Sequence, residues 1–347
     1  MNKKCTFYKL DWISVAILCE PTISNGKLNR GVMILNQIDP VLELHPLLSN
    51  YYILVHRRGW HGANEAAGAD IMLVEDLSTW KETVEEYPDC VLLDVGPADF
   101  VDHDYFSPIE CEVDIDVLQI SCWSRRKRIE LFIRAASRLP HLSFMHLGHF
   151  ENGGARDEVE YRAECLELAT SLAPNVAFPF LRCESNKGLP SSKEVINRFI
   201  NRAKLGLLTS ESEGINRFKM ECMAADRPFL VACDVMTPTR KHINERTGML
   251  YEPNAVNLSK AIVDMLDRLQ SFEPRKYLIT NTGKKISLGK LRSALVEVCV
   301  RSGEKYRFDN IDWDGRNESL IWGQRALDLI AEKVKEFSAL FNTCFRG

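Results

Sequence analysis

The residues best suited to chemistry cluster at 209–228, TSESEGINRFKMECMAADRP. The apolar run 205–209 (LGLLT) reads as a strand that ends at Thr209. A Ser/Glu/Gly turn follows, and a helix is expected from about 215 to 225. The amides of Gly214, Ile215 and Asn216 would then stand at the helix start without intrahelical acceptors, and with the helix dipole they make an anion site. Glu213 sits at its mouth, and Glu221 follows eight residues on, about two turns later and able to share that face. Such a pair suits a ligand with phosphates at one end and hydroxyls at both sides, because carboxylates accept hydroxyl protons well. On spacing alone the same pattern is equally a capping glutamate followed by a solvated one.

The elements around this cluster alternate. Strands are expected at 117–122 (VLQISC), 142–147, 175–180 and 228–233, with helices at 128–139, 158–172, 194–203 and 255–269 between or after them. Strands separated by helices imply parallel βαβ units and a doubly wound α/β domain, whose ligands bind outside the carboxyl ends of the strands. An earlier alternation has strands at 12–19, 51–56, 70–75 and 90–95 and a helix at 78–87. The two-proline stretch at 96–112 reads as a linker. The tail from 272 holds Lys284, Lys285, Lys290 and Arg292, a helical stretch at 291–300, an irregular segment and a last helix from about 318 to 341.

The chain has 347 residues, 45% hydrophobic and 27% charged, which fits about two globular domains and excludes a disordered or fibrous protein. No apolar run approaches the ~20 residues of a membrane span, and no signal-peptide core follows the N-terminus, so a cytoplasmic protein is expected. Eleven scattered cysteines without a C-x-x-C pair read as reduced thiols, with no metal site among them. The charge is uneven. Residues 1–110 hold 8 Lys/Arg against 17 Asp/Glu, and the rest hold 36 against 31. A basic second part suits a phosphorylated ligand, and two ordinary domains with chance surface charge fit equally well.

With Glu213-Gly214, then Glu221-Cys222-Met223-Ala224 and Pro228, the cluster resembles the E-x7-E signature of retaining GT-B nucleotide-sugar glycosyltransferases, glycosyltransferase family 4. Its surroundings are similar too: Thr247-Gly248-Met249-Leu250-Tyr251-Glu252-Pro253 after the next strand, the loop Ser124-Arg125-Arg126-Lys127, a hinge at Val101-Asp102-His103-Asp104-Tyr105-Phe106-Ser107-Pro108, and Ala69-Asp70 before a late strand of the first domain. The resemblance implies two Rossmann-like domains facing across a cleft. It implies an acceptor-side domain with hinge at 1–108, reduced relative to the family, a donor-binding domain at 109–316 and a C-terminal helix at 317–347 that packs back on the first domain. Asn25-Gly26 and Arg30-Gly31 stand where the family has a Gly-rich turn.

The resemblance also implies roles. Glu221 would bind the ribose, Glu213 the transferred sugar, and Lys127 with the amides of Gly214, Ile215 and Asn216 the diphosphate. Gly148 would let the backbone approach the donor. Phe180 takes a place near the nucleobase where the family often has Gly. The family usually carries an Arg at the position of Cys122, for which Arg125 or Arg126 would substitute. Asp226 replaces a Gly, and the segment after Cys233 lacks the usual Gly pair. The implied activity is metal-independent transfer of a sugar from a UDP- or GDP-type nucleotide-diphospho-sugar, with no further cofactor. The alternative is a non-catalytic GT-B-like nucleotide-sugar-binding protein. A soluble acceptor is expected, because an acidic first domain is not drawn to anionic membranes.

Other features are set aside. Asp102-His103-Asp104 and Asp114-Ile115-Asp116 imitate a D-x-D metal motif in a linker, and the calcium-like 310–315 puts Ile321 where a bidentate acid belongs. His141, His146 and His149 lack metal-site spacing, and His56 and His61 read as structural more often than catalytic. The Arg125–Arg128 cluster lacks aromatic partners, so no nucleic-acid partner is expected.

Overall fold

The computed structural model describes residues 13–24, 26–57, 66–75, 80–151, 154–179, 192–235, 237–316 and 320–345. In chain order the first elements are β1 (Ser14–Cys19), β2 (Thr22–Ser24), β3 (Lys27–Asn29), β4 (Gly31–Leu35), α1 (Asp39–Leu44), α2 (Leu48–Tyr51), β5 (Tyr52–Arg57), β6 (Ile71–Leu73), α3 (Trp80–Glu86) and β7 (Val91–Leu93). Next come β8 (Ile115–Cys122), α4 (Ile129–Ala136), β9 (Phe144–His149), α5 (Arg156–Leu172), β10 (Val176–Ala177), α6 (Lys193–Arg202), β11 (Ala203–Leu208), α7 (Arg217–Ala224), β12 (Phe229–Ala232), α8 (Thr237–Arg240), β13 (Gly248–Tyr251) and α9 (Ala255–Asp267). The chain ends with α10 (Pro274–Asn281), α11 (Gly283–Ser302), β14 (Ile321–Trp322) and α12 (Gln324–Phe345).

The chain divides into two compact units, Met1–Phe100 with Lys284–Gly347, and Val101–Gly283. This differs from the expected division at 108/109 and 316/317, because residues 284–316 join the first unit. The cause is packing. Strands β1, β4 and β5 are buried on both faces, so alternate residues serve two layers. Ala16, Val32, Ile34 and Val55 meet Leu288, Leu291 and Leu295 of α11, while Met33, Leu35 and Leu54 meet Leu327 and Ile330 of α12. Each such fully buried aliphatic side chain contributes about 2 kcal/mol, so the tail completes this core.

The regrouping also removes the charge asymmetry. The first unit holds 20 Lys/Arg against 23 Asp/Glu and the second 24 against 25. The acidic first third is offset by the basic tail folded onto it. The expectations of a basic donor half, and of a soluble acceptor argued from an acidic first domain, lose that support.

In the first unit the sheet order is β14-β1-β4-β5-β6-β7, with β4 to β7 parallel and β1 antiparallel to both neighbours. Gly26, at φ +68, sits in the turn of the β2–β3 hairpin, and Gly31 heads β4. The expected Gly-rich turn is therefore a hairpin followed by a strand; Asn25 lies outside the described residues.

The second unit is a six-stranded, wholly parallel sheet in the order β10-β9-β8-β11-β12-β13. Numbered within the unit this is 3-2-1-4-5-6, the Rossmann order, and its direction of winding reverses between β8 and β11. Helix α4 covers one face with Ile129, Phe132, Ile133 and Ala136 against Phe144 and Leu205. The Thr247–Pro253 run contains β13 itself, where the expected motif followed a strand.

Candidate functional site

A ligand crevice is expected at the carboxyl ends of β8 and β11, where the winding reverses. β8 delivers Cys122, a short turn carries Arg125, Arg126 and Lys127, and Arg128 opens α4. β11 delivers Thr209 and Ser210, both wholly buried, and then Glu213. The two loops are stitched together. The Glu211 amide donates to the Arg126 carbonyl at 2.8 Å, and the Thr209 hydroxyl to the Lys127 carbonyl at 2.6 Å. Gln119 Nε2 donates to Thr209 Oγ1 at 2.8 Å from below. Arg128 sits in the left-handed region at φ 47, a conformation that costs about 1–2 kcal/mol for a residue with a Cβ. Its guanidinium donates to the Thr209 and Ser210 carbonyls at 2.6 and 3.0 Å and to both Asp234 oxygens at 2.7 and 2.9 Å. Seven hydrogen bonds, four of them from this strained arginine, hold the ends of three strands.

Within that frame Lys127 and Glu213 form a direct ion pair, both nearly buried. Ser210 Oγ donates to the same carboxylate at 3.0 Å, and Arg126 Nη1 stands 3.9 Å from its second oxygen. A buried ion pair recovers its desolvation cost only with such further hydrogen bonds. The Glu213 backbone is braced as well. Thr239 Oγ1 lies 2.8 Å from the Glu213 carbonyl and 3.0 Å from that of Gly214. The segment holding Thr239 is tied to α7 by Lys219, a wholly buried lysine whose Nζ donates to the carbonyls of Thr239 and Lys241 at 2.8 and 2.5 Å. Sequence reading missed Ser210, Thr239, Lys219 and Asp234; a lysine midway through an otherwise buried helix was the available signal.

Helix α7 begins at Arg217, two residues later than expected. Asn216 is its N-cap, with Oδ1 accepting the Lys219 amide at 2.9 Å. The first-turn amides are therefore those of Arg217, Phe218 and Lys219, and Gly214 and Ile215 lie in the preceding turn. The short polar side chain of Asn216 displaces the helix start by capping it. Glu221 is buried on this helix and pairs with Arg217 at 3.3 Å.

The two candidate arginines separate. Arg125 turns to Glu164 at 2.6 Å and lies over the Tyr161 ring, away from the pair. Arg126 reaches Glu213 and stands 3.9 Å from Cys122 Sγ, so it occupies the space beside the position where a family arginine would start. Burial opposes its charge, but Glu151 at 2.7 Å more than offsets this and its pKa is raised. Burial pushes the Cys122 thiol up to about 12, so it is no nucleophile. His149, paired in register with Cys122, is held down to about 4 by burial and then by Lys127. His146 is held down to about 3 by burial and sits among Trp123, Phe132 and Phe178.

Gly148 has a local cause. A Cβ there would fall 2.3 Å from the Trp123 indole, so the missing side chain makes room for that ring. Phe180 and His61 lie outside the described residues. His56 is wholly buried in β5, with Nε2 3.1 Å from the Asn36 carbonyl. Asp102 Oδ1 accepts the amides of Asp104 and Tyr105 at 3.1 and 3.2 Å, a local turn. Asp312 pairs with Lys284 and Asp314 accepts the Arg316 amide. Among the described residues no group of three His, Cys, Asp or Glu side chains is placed to hold a metal ion, and no helix is long and apolar enough to cross a membrane.

No family model and no curated protein matches the chain. Solved structures do. Sucrose-phosphate synthase from Thermosynechococcus elongatus matches with a TM-score of 0.55 at 17% identity, over 73% of this chain and 68% of that one. Anabaena HepE in complex with UDP matches with a TM-score of 0.58 at 13% identity, over 74% and 76%. A glycosyltransferase from Rickettsia africae matches with a TM-score of 0.53 at 16% identity, over 71% and 70%. At such identities the likeness identifies the fold, two Rossmann-like domains of the GT-B kind, as the sequence motifs implied.

Proposed function

We propose that the chain is a retaining, family 4-like glycosyltransferase that moves a sugar from a nucleotide-diphospho-sugar to an acceptor hydroxyl without a metal ion. The observation that carries this reading is the buried Lys127–Glu213 pair, with Arg126 beside it, at the reversal point of the 3-2-1-4-5-6 sheet. The HepE neighbour was solved with UDP, which fits a diphosphate ligand here.

On this reading the anomeric carbon–diphosphate bond breaks while a bond to the acceptor oxygen forms on the same face, and the acceptor hydroxyl's proton passes to the leaving diphosphate oxygen. Charge gathers on the leaving diphosphate, and Lys127, Arg126 and the amides of Arg217 and Phe218 at the start of α7 meet it. Because the two loops are stitched by hydrogen bonds to backbone carbonyls, these donors need no reorganisation as the charge develops. Glu213 contacts the transferred sugar and Glu221 the ribose. Gly214, Ile215 and Asn216 shape the turn that brings Glu213 to the sugar, and Gly148 keeps Trp123 close beneath. A protein of this kind works in the cytoplasm, where nucleotide sugars are made.

Titration calorimetry with UDP, GDP and ADP, followed by donor hydrolysis over a panel of nucleotide sugars, tests this. Binding of one nucleotide that Glu221→Ala weakens at least tenfold is expected. If no nucleotide binds, or if Glu221→Ala leaves binding and turnover unchanged, the reading is wrong.

A further inference from the structure

Arg126 is not idle in this structure. Its Nη2 donates to both carboxylate oxygens of Glu151, at 2.7 and 3.0 Å, and the same carboxylate accepts from Cys122 Sγ at 3.4 Å. Glu151 sits just past the carboxyl end of β9, and its backbone amide is held. The amides of Glu151 and Gly154 donate to Glu158 at 2.9 and 3.2 Å, and Glu158 is itself buried in the first turn of α5. The carboxylate is thus presented to the guanidinium from a fixed mount. Burial raises the carboxyl's pKa, but Arg126 outweighs it and the net shift is downward.

Formal charge decides what this contact does. Among the described residues, Lys127 and Arg126 face Glu213 and Glu151, two cations against two anions. A neutral site has little to offer a diphosphate, so one carboxylate must give way when the ligand arrives. Glu213 is held by Lys127 and Ser210 and its side chain is 11% exposed, whereas that of Glu151 is 49% exposed. A carboxylate on a guanidinium also occupies donors that a phosphate would use in the same way.

We propose that Glu151 is an intramolecular stand-in for the donor's phosphate: it holds Arg126 until the diphosphate displaces it, and so sets the affinity and the requirement for a phosphorylated ligand. This rests on the diphosphate reading of the site given above. The opposite role, a carboxylate that orients Arg126 for the ligand, predicts the opposite sign.

The test is calorimetry of the full chain with UDP, GDP, ADP, pyrophosphate and uridine, for the wild type, Glu151→Gln and Glu151→Ala. Losing a half-exposed ion pair is worth about twofold to fivefold in affinity. Both variants should bind the preferred nucleotide that much more tightly, leave uridine unchanged, and lose the gain when Arg126→Gln is added. Equal or weaker nucleotide binding by both variants overturns the proposal while leaving the diphosphate site standing. If neither the wild type nor the variants bind any nucleotide or pyrophosphate, the diphosphate reading itself has failed and the proposal falls with it.

Discussion

Both units hold buried or partly buried charged side chains where parallel strands begin or end, but at opposite ends of those strands. In the first unit Arg30 lies just before β4 and Asp70 just before β6, at the amino ends. Arg30 binds Asp70 at 3.2 Å and Glu304 at 2.7 Å, and Arg307 donates to the carbonyls of Glu20 and Arg30 at 2.7 and 2.8 Å. These contacts fasten the tail to the sheet. In the second unit Lys127, Arg126 and Glu213 lie at the carboxyl ends, at the one place where the winding reverses. Outgoing loops diverge there and leave room for a ligand. In the first unit β4 to β7 follow one another in sequence without a reversal. Burial of charge therefore does not identify a site by itself; the end of the sheet that holds it does.

The largest expected effect falls on the carboxyl-end pair. Lys127→Met leaves Glu213 buried without its cation. Breaking a buried pair costs about 3–5 kcal/mol of stability, and losing a fixed donor to the leaving group costs about a hundredfold in turnover. Urea denaturation should show most of the stability restored when Glu213→Leu is added, while donor hydrolysis stays lost. Recovery of both together would make the pair a structural one.

The amino-end cluster should behave in the opposite way. Arg30→Ala removes a guanidinium that ties three chain segments, and a loss of about 2–3 kcal/mol in urea denaturation is expected. The folded variant should bind nucleotide as the wild type does. A tenfold weaker affinity in a variant that remains folded would end the distinction between the two ends.

Much of this contrast was legible in the sequence and part was not. Most strands and helices of the second unit lie within two or three residues of their expected bounds, because each apolar run is local and closes with a turn residue; β13, α8 and α10 are absent from the expectation. The grouping of the tail was not legible. It depends on Leu288, Leu291 and Leu295 meeting strands more than 200 positions away, and no local pattern carries that partner. β4 was missed because GVMIL follows Arg30-Gly31, which resembled a turn. In the candidate site, Lys127, Arg126 and Glu213 are the residues the motifs point to, and the structure brings the three together. The motifs do not point to Thr239, since its role lies in two backbone carbonyls rather than in a partner side chain.

Thr239 offers a finer test of what the carboxyl end demands. Thr239→Val keeps the volume and deletes the hydroxyl that holds the Glu213 and Gly214 carbonyls. If Glu213 contacts the sugar as proposed, misplacing its carboxylate by a fraction of an ångström lowers donor turnover about tenfold, with nucleotide affinity within twofold. Thr239→Ser should restore turnover. Equal loss in the serine and valine variants would trace the effect to packing.

The smallest effect is expected at Asp226, where the family that the sequence resembles has a glycine. The residue closes α7 in a Schellman motif: it sits at φ +60, its amide donates to the Met223 carbonyl at 3.1 Å, and the Arg227 amide donates to that of Cys222 at 2.8 Å. Glycine suits that backbone better by about 1 kcal/mol. The aspartate has a compensation that glycine lacks, because its Oδ1 accepts the Arg275 amide at 3.1 Å in the first turn of α10. A carboxylate at a helix N-terminus is worth about 0.5–1 kcal/mol. The two terms nearly cancel, so Asp226→Gly should leave stability within about 0.5 kcal/mol of the wild type. Asp226→Ala keeps the backbone penalty and loses the cap, so it should be less stable by about 1 kcal/mol. Urea denaturation of the pair decides it. A glycine variant stabilised by well over 1 kcal/mol would show that the carboxylate contributes nothing to α10, and that the departure from glycine carries a cost the fold does not recover.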